Sequence, residues 1–183
     1  MKTYCLALDI STTCTGVTLL DEQGNIHLIT HIEFSKIKSD FLWEKVDFFK
    51  VKIKDIVGEL NVSYIFIEEA LQLFNKGMST ANVITKLAQF NALISYSCRE
   101  IFKINPMYIS ANLARKTCGI PLLKTKKAGK DQKKQTFEYM LKTDLKHMNF
   151  DKTKFDNYKS YVYDEVDSYV IAKSCYKKFV LPK

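Results

Sequence analysis

Three features of the sequence predict an α/β fold built on a five-stranded mixed sheet. The N-terminal third carries three strand-like runs joined by short polar turns. An amphipathic helix then leads directly into a continuous apolar run. From there helical and strand patterns alternate.

Tyr4 to Asp9 (YCLALD) reads as a buried strand and Val17 to Asp21 (VTLLD) as a second. Asp21 to Asn25 is turn chemistry with a permissive glycine, and Ile26 to Glu33 is a third strand with Ile26, Leu28, Thr30 and Ile32 on one face. Short turns make these three antiparallel. Leu42, Val46, Phe49, Ile53, Val57 and Leu60 then recur at helical spacing, with Asp40 as an N-cap and Asn61 as the end. Tyr64 to Glu68 (YIFIE) is a fourth strand, parallel to the first through a helical crossover.

Gln72 to Gly77 reads as a loop. A long helix should run from Ser79 to about Phe102, with Ala81, Ala88 and Ala92 allowing a close neighbour. Met107 to Ile109 is a fifth strand, and Ser110 caps a short helix to about Lys116. Further helices are expected from Gln132 to about Lys142 and from Tyr163 or Asp164 to near Lys178, with a polar, irregular stretch between them.

The 183 residues fit a single domain, 1–183, with one sizeable core. Net charge is +8, which favours a polyanionic partner and nucleic acid first among them. The five cysteines are scattered and never form C-x-x-C, so a disulfide framework and a zinc site are both disfavoured. No secretory h-region and no apolar run of membrane-spanning length occurs. A cytoplasmic protein with no membrane role is the expectation.

Four acids stand out. Asp9 and Glu68 each close an apolar strand, at the edge where open α/β sheets bind ligands. If the strands are parallel neighbours, both carboxylates enter one crevice. Either acid could instead mark only where a strand meets water. Asp164 and Asp167 lie three apart at the start of a predicted helix and so share one face. Helix capping could explain either, but the surrounding Val166, Tyr169, Val170 and Ile171 are apolar. Carboxylates without His or Cys select hard cations such as Mg²⁺ or Mn²⁺, and two such ions can drive an in-line phosphoryl displacement.

Between Arg115 and Lys134 lie Arg115, Lys116, Lys124, Lys126, Lys127, Lys130, Lys133 and Lys134, against the single acid Asp131. A run this one-sided reads as a phosphate-binding surface rather than a merely solvated face. His27 and His31 read as packed or solvent-facing, and no histidine is expected beside the four acids.

The residues together resemble the RuvC-type Holliday-junction resolvases of the RNase H-like superfamily, nearest to phage-type divergent members. L-A-L-D9-I-S-T-T-C-T-G16 resembles the family's first strand and the glycine of its second. I-F-I-E68-E69-A-L resembles the fourth strand with its catalytic Glu, and D164-E-V-D167-S-Y-V-I-A resembles the D-x-x-D-A of the last helix. The resemblance implies an RNase H-like fold and Asp9, Glu68, Asp164 and Asp167 as ligands of Mg²⁺ or Mn²⁺, two ions per site. Glu68 aligns with the family Glu, and Glu69 alternates to the other face. Lys130, within G-K-D-Q-K-K, best matches a family lysine, with Lys133 as runner-up.

The implied function is structure-selective cleavage of Holliday junctions or other branched DNA, leaving 5′-phosphate ends, by a homodimer using the helix from Ser79. A phage-encoded member would act in the host cytoplasm. Departures occur after Asp9, where Ile10-Ser11-Thr12 replaces the usual Pro-Gly-Ser or Gly-Thr. Leu71 stands where some members carry a base-stacking aromatic, leaving Phe74 as the aromatic in that loop. L-D9-I-S-T-T-C-T-G also resembles the first phosphate loop of the actin and sugar-kinase superfamily, but the chain is short and glycine-poor for that ATP-binding design. A non-catalytic branched-DNA-binding protein and an RNA nuclease on the same fold are two further rival functions.

Overall fold

The computed structural model describes residues 2–37, 41–70, 81–123 and 131–180. Its strands are β1 (Thr3–Ile10), β2 (Cys14–Asp21), β3 (Ile26–Glu33), β4 (Asn61–Glu68) and β5 (Met107–Ile109). Its helices are α1 (Leu42–Val57), α2 (Ala81–Phe102), α3 (Ala111–Thr117), α4 (Gln132–Lys142) and α5 (Ser160–Cys175), followed by a π-helical turn at Tyr176–Val180. The sheet order is β3-β2-β1-β4-β5. β1, β2 and β3 pair antiparallel, whereas β4 pairs parallel with both β1 and β5. The fold is the five-stranded mixed α/β arrangement expected from the sequence.

Strand alternation divides the interior into two cores. Leu6, Leu8, Val17, Leu19, Ile65 and Ile67 face α1 and α2, where Val46, Phe49, Ile53, Phe90 and Ile94 meet them. Cys5, Ala7, Leu20 and Phe66 face α3, α4 and α5. Each large apolar side chain so enclosed contributes roughly 1.5–3 kcal/mol relative to exposure. Helix α5 lies on this second face and is buried almost all round, Val162 and Val166 to Ala172 included. The five cysteines are all buried and free.

Several element boundaries differ from expectation. Helix α1 ends at Val57, because Gly58 adopts φ +55 and its N–H returns to Lys54 O; β4 therefore starts at Asn61. The β1–β4 register shifts between Tyr4↔Val62 and Cys5↔Tyr64. That extra residue keeps Val62 on the same face as Ile65 and Ile67. A similar shift between Leu19↔Leu28 and Leu20↔Ile26 turns Ile26 toward α5, away from the face of Leu28 and Ile32. Helix α5 starts at Ser160, with Lys159 at its N-cap. Asp164 thus sits beyond the first turn, which removes capping as its explanation.

Ala81, Ala88 and Ala92 of α2 face solvent within the monomer instead of a neighbouring element. Asp40, the 72–77 loop and the expected start at Ser79 lie outside the described residues. Among the described residues, no helix is long and apolar enough to cross a membrane.

Candidate active site

Asp9 and Glu68 end neighbouring parallel strands. The last β1–β4 partners are Leu8 and Ile67, so each acid lies one residue beyond the same pair. Asp9 follows Cys5 and Ala7 onto the α5 face, and Glu68 follows Tyr64 and Phe66. Glu69, one residue on, donates its backbone N–H to Ile109 O and is exposed. The buried Asn91 of α2 donates to Glu68 O at 3.0 Å and fixes the end of β4.

The second pair of acids arrives on α5, and Gly16 allows it. Gly16 is the β2 partner of Asp9. A Cβ there would stand 2.0 Å from Asp164 O and 2.4 Å from its carbonyl carbon. Only glycine lets the α5 backbone lie this close to β2. Thr18 and Ser168 add a buried hydroxyl–hydroxyl hydrogen bond of 2.8 Å across the same contact. The β1–β2 turn closes beside Asp9, where the Ser11 hydroxyl donates to Cys14 O at 2.7 Å and accepts from Cys14 N at 3.1 Å.

Lys133 of α4 joins the acids. Its Nζ lies 2.5 Å from Asp164 Oδ1, 3.4 Å from Asp167 Oδ2 and 3.6 Å from Asp9 Oδ2. Arg115 of α3 reaches the other Asp167 oxygen, with Nη2 3.6 Å from Oδ1. Burial raises the Asp9 carboxyl well above the usual range; Lys133 pulls it back, while Glu68, Asp167 and Asp164 push it further up. Burial likewise raises Glu68 to about 7, with Asp167 adding to it and Arg115 and Lys133 opposing. Burial raises Asp167 too, against the pull of Lys133 and Arg115. Burial alone would depress the Lys133 ammonium, but Asp9, Asp167 and Asp164 outweigh it and raise its pKa.

Fully ionised, the four carboxylates would face two cations and leave an excess of two negative charges. Among the described residues, no three His, Cys, Asp or Glu side chains are gathered at metal-ligating geometry. Three of the four carboxylates turn to the Lys133 ammonium instead. A depression of about 350 Å³ adjoins the site, lined by Asp131, Lys133, Lys134, Ser160, Tyr163 and Asp164.

The basic run divides. Arg115 has only 12% of its side chain exposed and pairs with Asp167, so it belongs to the acid cluster and not to an open phosphate-binding face. Lys116 and Lys134 are exposed. Lys124, Lys126, Lys127, Lys130 and Phe74 lie outside the described residues. Of the two lysines proposed for the site, Lys133 is the one whose contacts are described.

Sequence reading missed the pairing of buried Glu165. Its Oε1 lies 2.7 Å from His31 Nδ1, and the His31 ring stacks on Tyr161 at 3.8 Å. A histidine therefore packs one residue from Asp164 in sequence, though onto Glu165 and not onto the four acids. Glu165 inside an apolar run was the available signal; its partner is 134 residues away.

Comparison with solved structures gives a consistent picture. The fold matches Thermus thermophilus RuvC in complex with a Holliday junction substrate at a TM-score of 0.62, with 9% identity over 97% of both chains. A second Thermus thermophilus RuvC structure matches at 0.59, with 12% identity over 97% of this chain and 96% of that one. The yeast mitochondrial Holliday junction resolvase Ydc2 matches at 0.53, with 14% identity over 93% of this chain and 76% of that one. No protein-family model and no curated protein sequence matches the chain. At these identities the likeness is one of fold.

Proposed function

We propose that the protein is a divalent-metal-dependent endonuclease that resolves four-way junctions or related branched DNA. The observation that carries this reading is the Asp9, Glu68, Asp164 and Asp167 cluster at the C-terminal ends of β1 and β4, where four carboxylates meet only Lys133 and Arg115 among the described residues. An RNase H-like fold shared with two Holliday-junction proteins supports the substrate class. The net charge of +8 and the exposed Lys116 and Lys134 support a nucleic-acid partner.

The donor set fits a hard cation. All four side chains offer carboxylate oxygen, and burial with mutual repulsion has raised Asp9, Glu68 and Asp167. Asp9, Glu68, Asp164 and Asp167 would hold Mg²⁺ or Mn²⁺, as two ions in the family pattern. Such a cation would supply neutralisation of phosphate charge and activation of water at neutral pH. Lys133 draws Asp9, Asp164 and Asp167 toward one point and limits their repulsion. Arg115 orients Asp167 through its other oxygen. The products would carry 5′-phosphate ends.

A homodimer would place two such sites on a two-fold symmetric junction. The exposed Val83, Ala88, Ala92, Leu93 and Tyr96 make α2 the proposed contact. The near-full-length likeness to resolvase chains does not favour an ATP-binding fragment. Retention of all four acids does not favour a purely binding role.

The test is cleavage of labelled four-way DNA, closed duplex DNA and structured RNA in Mg²⁺ or EDTA. Junction cutting that needs Mg²⁺ and is abolished by Asp9→Asn, with junction binding retained, is the expected outcome. Equal cutting of RNA without junction preference would sink the resolvase assignment. Near wild-type cutting by Asp9→Asn would move the active site elsewhere.

A further inference from the structure

The nuclease reading leaves one prominent surface feature unused. Phe41 and Trp43 are 55% and 59% exposed, yet their rings stack with centroids 4.5 Å apart and planes 16° from parallel. They stand at the start of α1. Val46, Phe49, Ile53 and Val57 of that helix enter the core, whereas this pair does not. Trp43 is the chain's single tryptophan.

Position gives the pair its meaning. Residues leaving β3 emerge at the edge where β1 ends, because Cys14 pairs with Glu33 and Phe34 N–H bonds to Thr13 O. Lys45, two residues beyond Trp43, donates from Nζ to Thr12 O at 2.7 Å. Thr12 belongs to the turn that begins just after Asp9 and Ile10. The aromatic pair and the four acids therefore share one edge of the sheet. The acids lie on its α5 side and the pair on its α1 side. A nucleic-acid strand crossing that edge meets both.

We infer that Phe41 and Trp43 form a stacking platform for an unpaired nucleobase of the DNA held at the acidic site. This rests on the nuclease reading, from which it takes its substrate class. Every base offers a π-face, so such a platform binds without reading sequence. It favours forks and junction centres over closed duplex, where the bases already stack on one another. One face of the indole packs on Phe41, and more than half of the Trp43 surface remains open. The net charge of +8 supplies the long-range attraction, and the Lys45 contact fixes the platform to the catalytic edge.

The single tryptophan makes the test direct. In EDTA, wild-type protein is titrated with a four-way junction, a forked duplex and a closed hairpin duplex. Trp43 emission is read beside the anisotropy of the labelled DNA. Stacking predicts quenching that tracks binding of junction and fork, with little change on closed duplex. Trp43→Ala should weaken junction and fork binding by about fivefold or more and leave closed-duplex binding unchanged, while Trp43→Phe recovers most of the loss. If Trp43→Ala fails to fold, the wild-type quenching still decides. DNA binding with unchanged emission, and equal binding by Trp43→Ala, would overturn the platform while leaving the nuclease reading intact. A change in emission with protein concentration and no DNA would overturn it in favour of self-association. No binding to any of the three DNAs would overturn both readings.

Discussion

Replacing Gly16 by alanine tests how the proposed active site is assembled. The added Cβ would lie 2.0 Å from Asp164 O and 3.0 Å from Glu165 N. Both are backbone atoms of a buried helix, so no flexible side chain can yield. Ordinary contact begins near 3.4 Å, so α5 must retreat from β2 by about 1.4 Å. Overpacking of this kind costs about 1–3 kcal/mol of stability. It also carries Asp164 and Asp167 away from Asp9 and Glu68, which remain on the sheet. A displacement near 1 Å costs on the order of 10²-fold in rate where reacting groups must be aligned. Gly16→Ala should therefore lower Tm by several degrees and slow junction cleavage about 10²-fold, with DNA binding nearly intact. Thermal unfolding, single-turnover cleavage and fluorescence anisotropy read the three quantities. Wild-type Tm together with wild-type rate would refute the idea that this close approach positions the acids.

The charge balance makes three further predictions. Lys133→Met should abolish cleavage and lower the metal-free Tm, because Asp9, Asp164 and Asp167 lose the ammonium between them; Lys130→Met serves as the comparison, and loss of activity in that variant alone would return the site to Lys130. Arg115→Met should cut the cleavage rate with the salt dependence of DNA binding unchanged, whereas Lys116→Met should weaken binding and reduce its salt slope by about one; equal salt effects from both would place Arg115 on the phosphate surface. The folded state holds the Glu68 proton up to about pH 7, from a normal value of 4.5. Its contribution to metal-free stability is thus present below about pH 4.5 and lost as pH rises through about 7, by at most about 3 kcal/mol. Excess Mg²⁺ should raise Tm more at pH 7.5 than at pH 5 in wild type, and that difference should shrink in Glu68→Gln; a difference unchanged in Glu68→Gln would count against Glu68 as a ligand.

Local signals are enough to specify the sheet and its pairing sense, since strand alternation, short polar turns and the period of α1 can all be read along the chain. They also pick out Asp9 and Glu68, because an acid that closes an apolar run is visible without knowing its neighbours. The resemblance chose Glu68 over Glu69, and strand alternation agreed with it. Boundaries governed by a single backbone angle or a register shift were not legible: Gly58 ends α1 early, and the extra residue near Ser63 keeps Val62 on the core face. Packing settled the rest: Arg115 belongs with the acids, Lys133 bridges three of them and Glu165 pairs with His31. The Lys133–Asp164 and His31–Glu165 partners are 31 and 134 residues apart. Such groups meet because α3, α4 and α5 pack on one face of the sheet. Charge composition reports how many cations a chain carries, whereas their destinations depend on which of them the folded chain shields from water.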